Sequence, residues 1–120
     1  MSGNNVFLDT NIVLYLLSGD KTIAELLSGK KIFISFITEL ELLGFKEINA
    51  EETEKIEFFL KDVTILDISS EIKRIVIQLR KNYRIKLPDA IVAATAFNLN
   101  LPLLTSDKEL SKLLELNIVL

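Results

Sequence analysis

The sequence predicts an α/β fold: a three-layer α/β/α sandwich around a central parallel sheet of four or five strands. Three observations carry that prediction. Short runs of β-branched and apolar residues recur at Val6 to Leu8, Ile32 to Ser35, Val63 to Leu66, Pro102 to Leu104 and Ile118 to Leu120. Longer segments with helical spacing separate them. The short runs are apolar on both faces, which calls for helices on each side of the sheet and right-handed crossovers between parallel neighbours.

Taken in order, Met1 to Asn5 reads as a frayed end. The first strand leads into Asp9, Thr10 and Asn11, residue types whose side chains accept hydrogen bonds from the free amides of a starting helix. The second strand leads into a helix carrying Glu39 and Glu41. These face different ways, and Ile37, Leu40 and Phe45 straddle both, so periodicity does not choose between them. Ile56, Phe59 and Leu60 mark the next helix, and the third strand ends at Asp67. Ile72, Ile75, Val76 and Leu79 stand at the offsets of a buried stripe. Pro88 and Asp89 open a further helix, where proline is pre-shaped for the first turn and an acid is favoured by the dipole. Its stripe of Ala90, Ala93, Ala94 and Phe97 permits close packing on the sheet and presses Asp89 towards the strand ends. After the fourth strand, Ser106 or Asp107 is placed to cap a short helix carrying Lys108, Leu110, Leu113 and Leu114.

The chain's 120 residues, 49% of them hydrophobic, with two prolines and four glycines, fit one domain over 1–120. No internal repeat or low-complexity tract interrupts it. The longest purely apolar run, Ile12 to Leu17, is far short of the roughly 20 residues a membrane helix needs, and no basic segment precedes a hydrophobic one at the start. The expectation is a cytoplasmic protein with no membrane partner, and the lack of cysteine is compatible with a reducing compartment. A net charge of −3 argues against a protein that coats nucleic acid non-specifically, while leaving room for a local basic patch.

With neither histidine nor cysteine, most nucleophilic and acid–base schemes that work near neutral pH are closed to this chain. Carboxylates around a hard cation remain. Ligands of parallel sheets bind beyond the carboxyl ends of the strands, near the point where strand order reverses. Asp9 and Asp107 each follow a strand, Glu41 lies about two turns beyond the second strand, and Asp89 opens a helix. Each also has an ordinary reading as a helix cap or a dipole-favoured acid. Mg2+ and Mn2+ prefer oxygen donors and keep several waters, so a few carboxylates suffice to hold one.

The segments Val6-Phe7-Leu8-Asp9-Thr10-Asn11, Ile34 to Gly44, Leu87 to Ala96 and Leu104-Thr105-Ser106-Asp107 resemble, in order, the successive motifs of a PIN domain. The likeness is closest to the VapC-like toxins of toxin–antitoxin pairs. Matching the motifs residue by residue gives Asp9, Glu41, Asp89 and Asp107 as catalytic and metal-binding acids, and Thr38, three positions earlier, selects Glu41 over Glu39. Gly44 follows Glu41 by three residues where the commoner toxin pattern has four, and Ser106 intervenes between Thr105 and Asp107. The resemblance implies a metal-dependent endoribonuclease using Mg2+ or Mn2+ on single-stranded or looped RNA, a homodimer held inactive by a small cognate antitoxin. Asp9, Glu41 and Asp89 would gather the metal, and Asp107 would complete its shell or place the attacking water. Thr10, Asn11, Thr105 and Ser106 become candidates to hydrogen-bond the carboxylates or the phosphate.

Lys73, Arg74, Arg80, Lys81, Arg84 and Lys86 form the densest basic segment, and Arg84 and Lys86 are the candidates to guide RNA phosphate. The plainer reading of the segment is a solvated helix face. Tyr83 is placed to stack on a base or, as an ordinary aromatic, to pack in the core. Two other functions compete: a domain that binds RNA or a partner without cutting, and an aspartyl phosphotransfer domain using Asp67 or Asp9. The second lacks the paired acids, two apart, expected of a dehalogenase-like nucleophile loop at Asp9.

Overall fold

The computed structural model describes residues 4–113 and the backbone of 118–119. Along the chain run β1 (Asn5–Leu8), α1 (Thr10–Leu17), α2 (Lys21–Leu27), β2 (Lys31–Ser35), α3 (Phe36–Leu43), α4 (Ala50–Lys61), β3 (Thr64–Leu66), α5 (Ser70–Asn82), α6 (Leu87–Asn98), β4 (Leu103–Leu104), α7 (Lys108–Ser111) and β5 (Ile118–Val119). The strands form one parallel sheet in the order β3-β2-β1-β4-β5, the predicted α/β/α sandwich.

Alternation along the strands divides the core into two halves. Phe7, Leu103 and the partly buried Phe33 and Leu66 face a layer built from α5, α6 and α7, with Ile72, Val76, Leu79, Ala93 and Leu110 among its buried residues. Val6, Leu8, Ile34 and Leu104 face the opposite layer, packed with Ile12 and Val13 of α1, Leu27 of α2, Leu42 of α3 and Ile56 of α4. This is why the strands read as apolar on both faces.

Some boundaries differ from the sequence expectation. Asn5 is paired, not frayed: it lies opposite Lys31 in the β1–β2 register, and Lys31 N donates to Asn4 O at 2.6 Å. Met1 to Gly3, Leu114 and Leu120 lie outside the described residues. Val63 and Pro102 precede their strands instead of opening them. Phe97 does not join the buried stripe and is 44% exposed. Helix α6 is covered from every side by the sheet and by neighbouring helices, so Ala90 through Ala96 are all buried, and Phe97, one residue from its end, lies past that cover. Helix α2, with seven residues, is too short for its spacing to stand out in the sequence.

Chain order makes β1 the turning point. The β1–α1–α2–β2 connection moves one way across the sheet, and the crossover from β3 through α5 and α6 returns to place β4 on the other side of β1. The carboxyl ends of β1 and β4 therefore flank the position where ligands of parallel sheets bind.

Candidate metal centre

Beyond those two strand ends lies a cavity of about 480 Å³. Its lining includes Asp9, Thr10 and Asn11 from the start of α1, Glu41 from α3, Asp89 from α6 and Asp107 ahead of α7. Each acid arrives by a different local route. Asp9 caps α1, with Oδ1 accepting from Ile12 N at 2.9 Å, while Oδ2 accepts the hydroxyl of Thr105. Asp107 caps α7 through Oδ1, which accepts from Glu109 N at 2.8 Å. For these two the capping reading is correct at one oxygen, and the carboxylate still faces the cavity. Asp89 enters through the first turn of α6, where Lys86 at the cap position offers no side-chain cap. Glu41 is held from outside its own helix: Thr10 Oγ1 donates to its Oε1 at 2.6 Å.

The threonines organise the acids. Thr105 accepts from the Asp107 amide at 2.9 Å and donates to Asp9, so one buried hydroxyl links the two strand-end acids. Thr10 stands 2.9 Å from the hydroxyl of Thr38, which is fully buried in α3.

Electrostatics tie the four acids together. Burial pushes the Asp9 carboxyl above the ordinary 3.8; hydrogen bonds from Thr105 and Ile12 oppose this, and the charges of Asp107 and Glu41 add to it. Asp89 is raised first by burial, then by Asp107, Glu41 and Asp9, with Lys86 pulling the other way. Each of these acids thus feels the other three or two of them across the cavity. Among the described residues no lysine or arginine lines it, whereas a further acid, Glu52, does.

That donor set, all oxygen and all anionic or neutral, is what a hard divalent cation takes. Among the described residues no three acids are grouped closely enough to form a ready-made metal site.

Other candidates fall differently. Glu39 does not line the cavity and Ser106 is exposed outside it. Arg84 and Lys86 lie outside the lining too, exposed where the chain enters α6, with Lys86 near enough to act on Asp89. Tyr83 packs against the core beside α5. Asp67 follows β3 at the sheet edge, exposed, with Oδ1 accepting from Ile68 N, and takes no part in the cavity. Three contributors were not anticipated. Thr38 acts from outside the lining by its hydroxyl, Glu52 joins it from the Asn49–Glu52 capping box of α4, and an apolar wall of Leu14, Leu42, Phe45, Ile48, Ile56 and Val92, with Pro88, forms the rest of the lining. The Asn-x-x-Glu pattern was legible as a cap. Its place at the cavity depends on how α4 packs beside α3.

Comparison with known proteins bears on the family and the fold. The PIN domain family model matches residues 6–115. A chain of a toxin–antitoxin complex from Klebsiella pneumoniae is 31% identical, with TM-score 0.81 and 96% of each chain covered. A chain of VapBC-1 from nontypeable Haemophilus influenzae is 30% identical, also with TM-score 0.81 over 96% of each chain. VapBC2 from Rickettsia felis, bound to a DNA fragment from its promoter, shares the fold at TM-score 0.84 and 23% identity, covering 96% of this chain and 97% of that one. No curated protein matches with comparable significance.

Proposed function

The chain belongs to the PIN domain family, and on that premise we propose that it is a metal-dependent endoribonuclease, the toxin of a toxin–antitoxin pair. The observation that carries the reading is the convergence of Asp9, Glu41, Asp89 and Asp107 on one cavity at the switch point of the sheet. Asp9, Glu41 and Asp89 would hold Mg2+ or Mn2+, and Asp107 would complete the set or orient the attacking water. Such a cation supplies positive charge for a phosphoryl oxygen and eases deprotonation of water. The chain's own contribution is orientation. Thr105 and the Ile12 amide hold the Asp9 carboxylate, Thr10 holds Glu41, and the acids leave a strongly negative cavity whose repulsion a cation relieves.

RNA phosphate would approach past Arg84 and Lys86, which are exposed ahead of α6 and lie outside the cavity lining. The apolar wall with its exposed rim, Leu14 and Phe45, is the surface we assign to an antitoxin segment, in keeping with the two toxin–antitoxin relatives above 25% identity. A homodimer acting in the cytoplasm completes the proposal. Among the described residues no helix is long and apolar enough to cross a membrane.

The test is purified protein, free of antitoxin, incubated with Mn2+ and a mixture of structured RNAs, against Asp9→Asn and a chelator. Cleavage that needs both the metal and Asp9 is expected. Intact RNA with the unmutated, metal-loaded protein would count for a domain that binds without cutting.

A further inference from the structure

We propose that Thr38 is a positioning residue for Glu41, acting through Thr10. This rests on the metal-binding role proposed above for Glu41. A hydroxyl has one proton to donate and two lone pairs to accept with. The Thr10 proton goes to Glu41 Oε1 at 2.6 Å, so at the 2.9 Å contact between Thr10 and Thr38 it is Thr38 that donates. The result is a directed chain from Thr38 to Thr10 to Glu41, joining the interior of α3 to the first turn of α1 and back to the surface of α3.

Burial decides which end is rigid. Thr38 is fully buried with χ1 restricted by β-branching, whereas Glu41 is exposed on a long, flexible side chain. Thr38 and Glu41 stand three positions apart on α3, near enough for one hydroxyl from α1, that of Thr10, to bridge them. Rotation of the Thr10 hydroxyl is thereby fixed, and with it the direction from which Glu41 is held. Asp9 has the equivalent arrangement through Thr105 and the Asp107 amide, so two of the cavity's carboxylates are each oriented by a hydroxyl whose own partner is specified.

The test uses Thr38→Val, which keeps the shape and removes the donor, and Thr38→Ser, which keeps the donor. Two readouts are taken: the order parameter of the Thr10 methyl group in metal-free protein by NMR relaxation, and Mn2+ affinity by titration calorimetry. In Thr38→Val the Thr10 methyl loses order and Mn2+ binds about 10-fold more weakly, the usual scale for losing a partner behind a metal ligand. Thr38→Ser restores both. On a Thr10→Val background, Thr38→Val has no further effect on Mn2+ affinity. Unchanged Thr10 order and Mn2+ affinity in Thr38→Val, or the same loss with Thr10 already replaced, overturns the proposal. Should the unmutated protein bind no Mn2+, the metal reading fails, and the Thr10 methyl order still supports or overturns the role of Thr38.

Discussion

Thr105 donates its hydroxyl proton to Asp9 Oδ2 although 96 residues of chain separate them. The bond crosses between the ends of β4 and β1, whose parallel pairing sets Leu8 beside Leu104. Sheet register thus decides the orientation of an acid that lines the cavity.

Substitution of the acids should separate those in the cavity from their neighbours. Asp9→Asn and Glu41→Gln are expected to lower Mn2+-dependent RNA cleavage by more than about 100-fold, beyond the usual cost of losing a residue behind a metal ligand. Glu39→Gln should leave it unchanged. Asp9→Asn keeps an oxygen to accept from Ile12 N, so its circular dichroism should remain native. Equal loss in Glu39→Gln and Glu41→Gln would undo the choice between them.

Asp89 makes the metal-free protein less stable as pH rises. Its folded carboxyl titrates above the ordinary 3.8, so between that value and the raised one the folded state binds more protons than the unfolded state. Stability conferred by the protonated form is present below the window and falls as pH increases through it. In urea melts with chelator, Asp89→Asn should be more stable than the unmutated protein at pH 7, and the difference should shrink towards pH 3.

Divalent cation should reverse that penalty. Mn2+ at 100 times its dissociation constant adds about 2.7 kcal/mol to the folded state, a rise in melting temperature of roughly 10 °C for a domain of this size. Asp9→Asn should show little of it. A melting temperature indifferent to Mn2+ in the unmutated protein would leave the cavity without its proposed ion.

Charge reversal at Arg84 and Lys86 together should weaken RNA binding and flatten its salt dependence by about 1.4 in the log–log slope, about 0.7 for each phosphate contact with a single strand. Binding by filter retention across a salt series measures this. An unaltered slope removes both residues from the RNA path.

The central strand is the simplest check on the fold. Phe7 is fully buried, and its amide donates to Pro102 O at 2.9 Å, tying β1 to the approach to β4. Phe7→Ala should cost about 3–5 kcal/mol in denaturant unfolding and weaken Mn2+ binding with it.

Sequence by itself determined the layers and the order of the acids. Period-2 and period-3.6 patterns are local, and strands apolar on both faces leave one way to bury them, between two layers of helices. Pro88 in the first turn of α6 likewise acts within a few residues, so the point where Asp89 leaves its helix was legible. Choosing Glu41 over Glu39 was beyond periodicity, because both flank the same apolar residues and motif likeness alone separated them.

Tertiary structure decided the rest. Whether Asp9 and Asp107 were caps or cavity acids had no local answer, since one carboxylate has oxygens enough to be both. Thr38 gave no sign of its hydroxyl's direction, because its partner lies 28 residues away on another helix. Phe97 has the spacing of the alanine-rich stripe yet lies past its cover, and Glu52 reaches the cavity only through the packing of α4 beside α3. A hydrogen bond between distant segments depends on register and helix packing, which no local pattern encodes; the acids could be named in order, but only the folded sheet brings them to one cavity and turns threonine hydroxyls towards them.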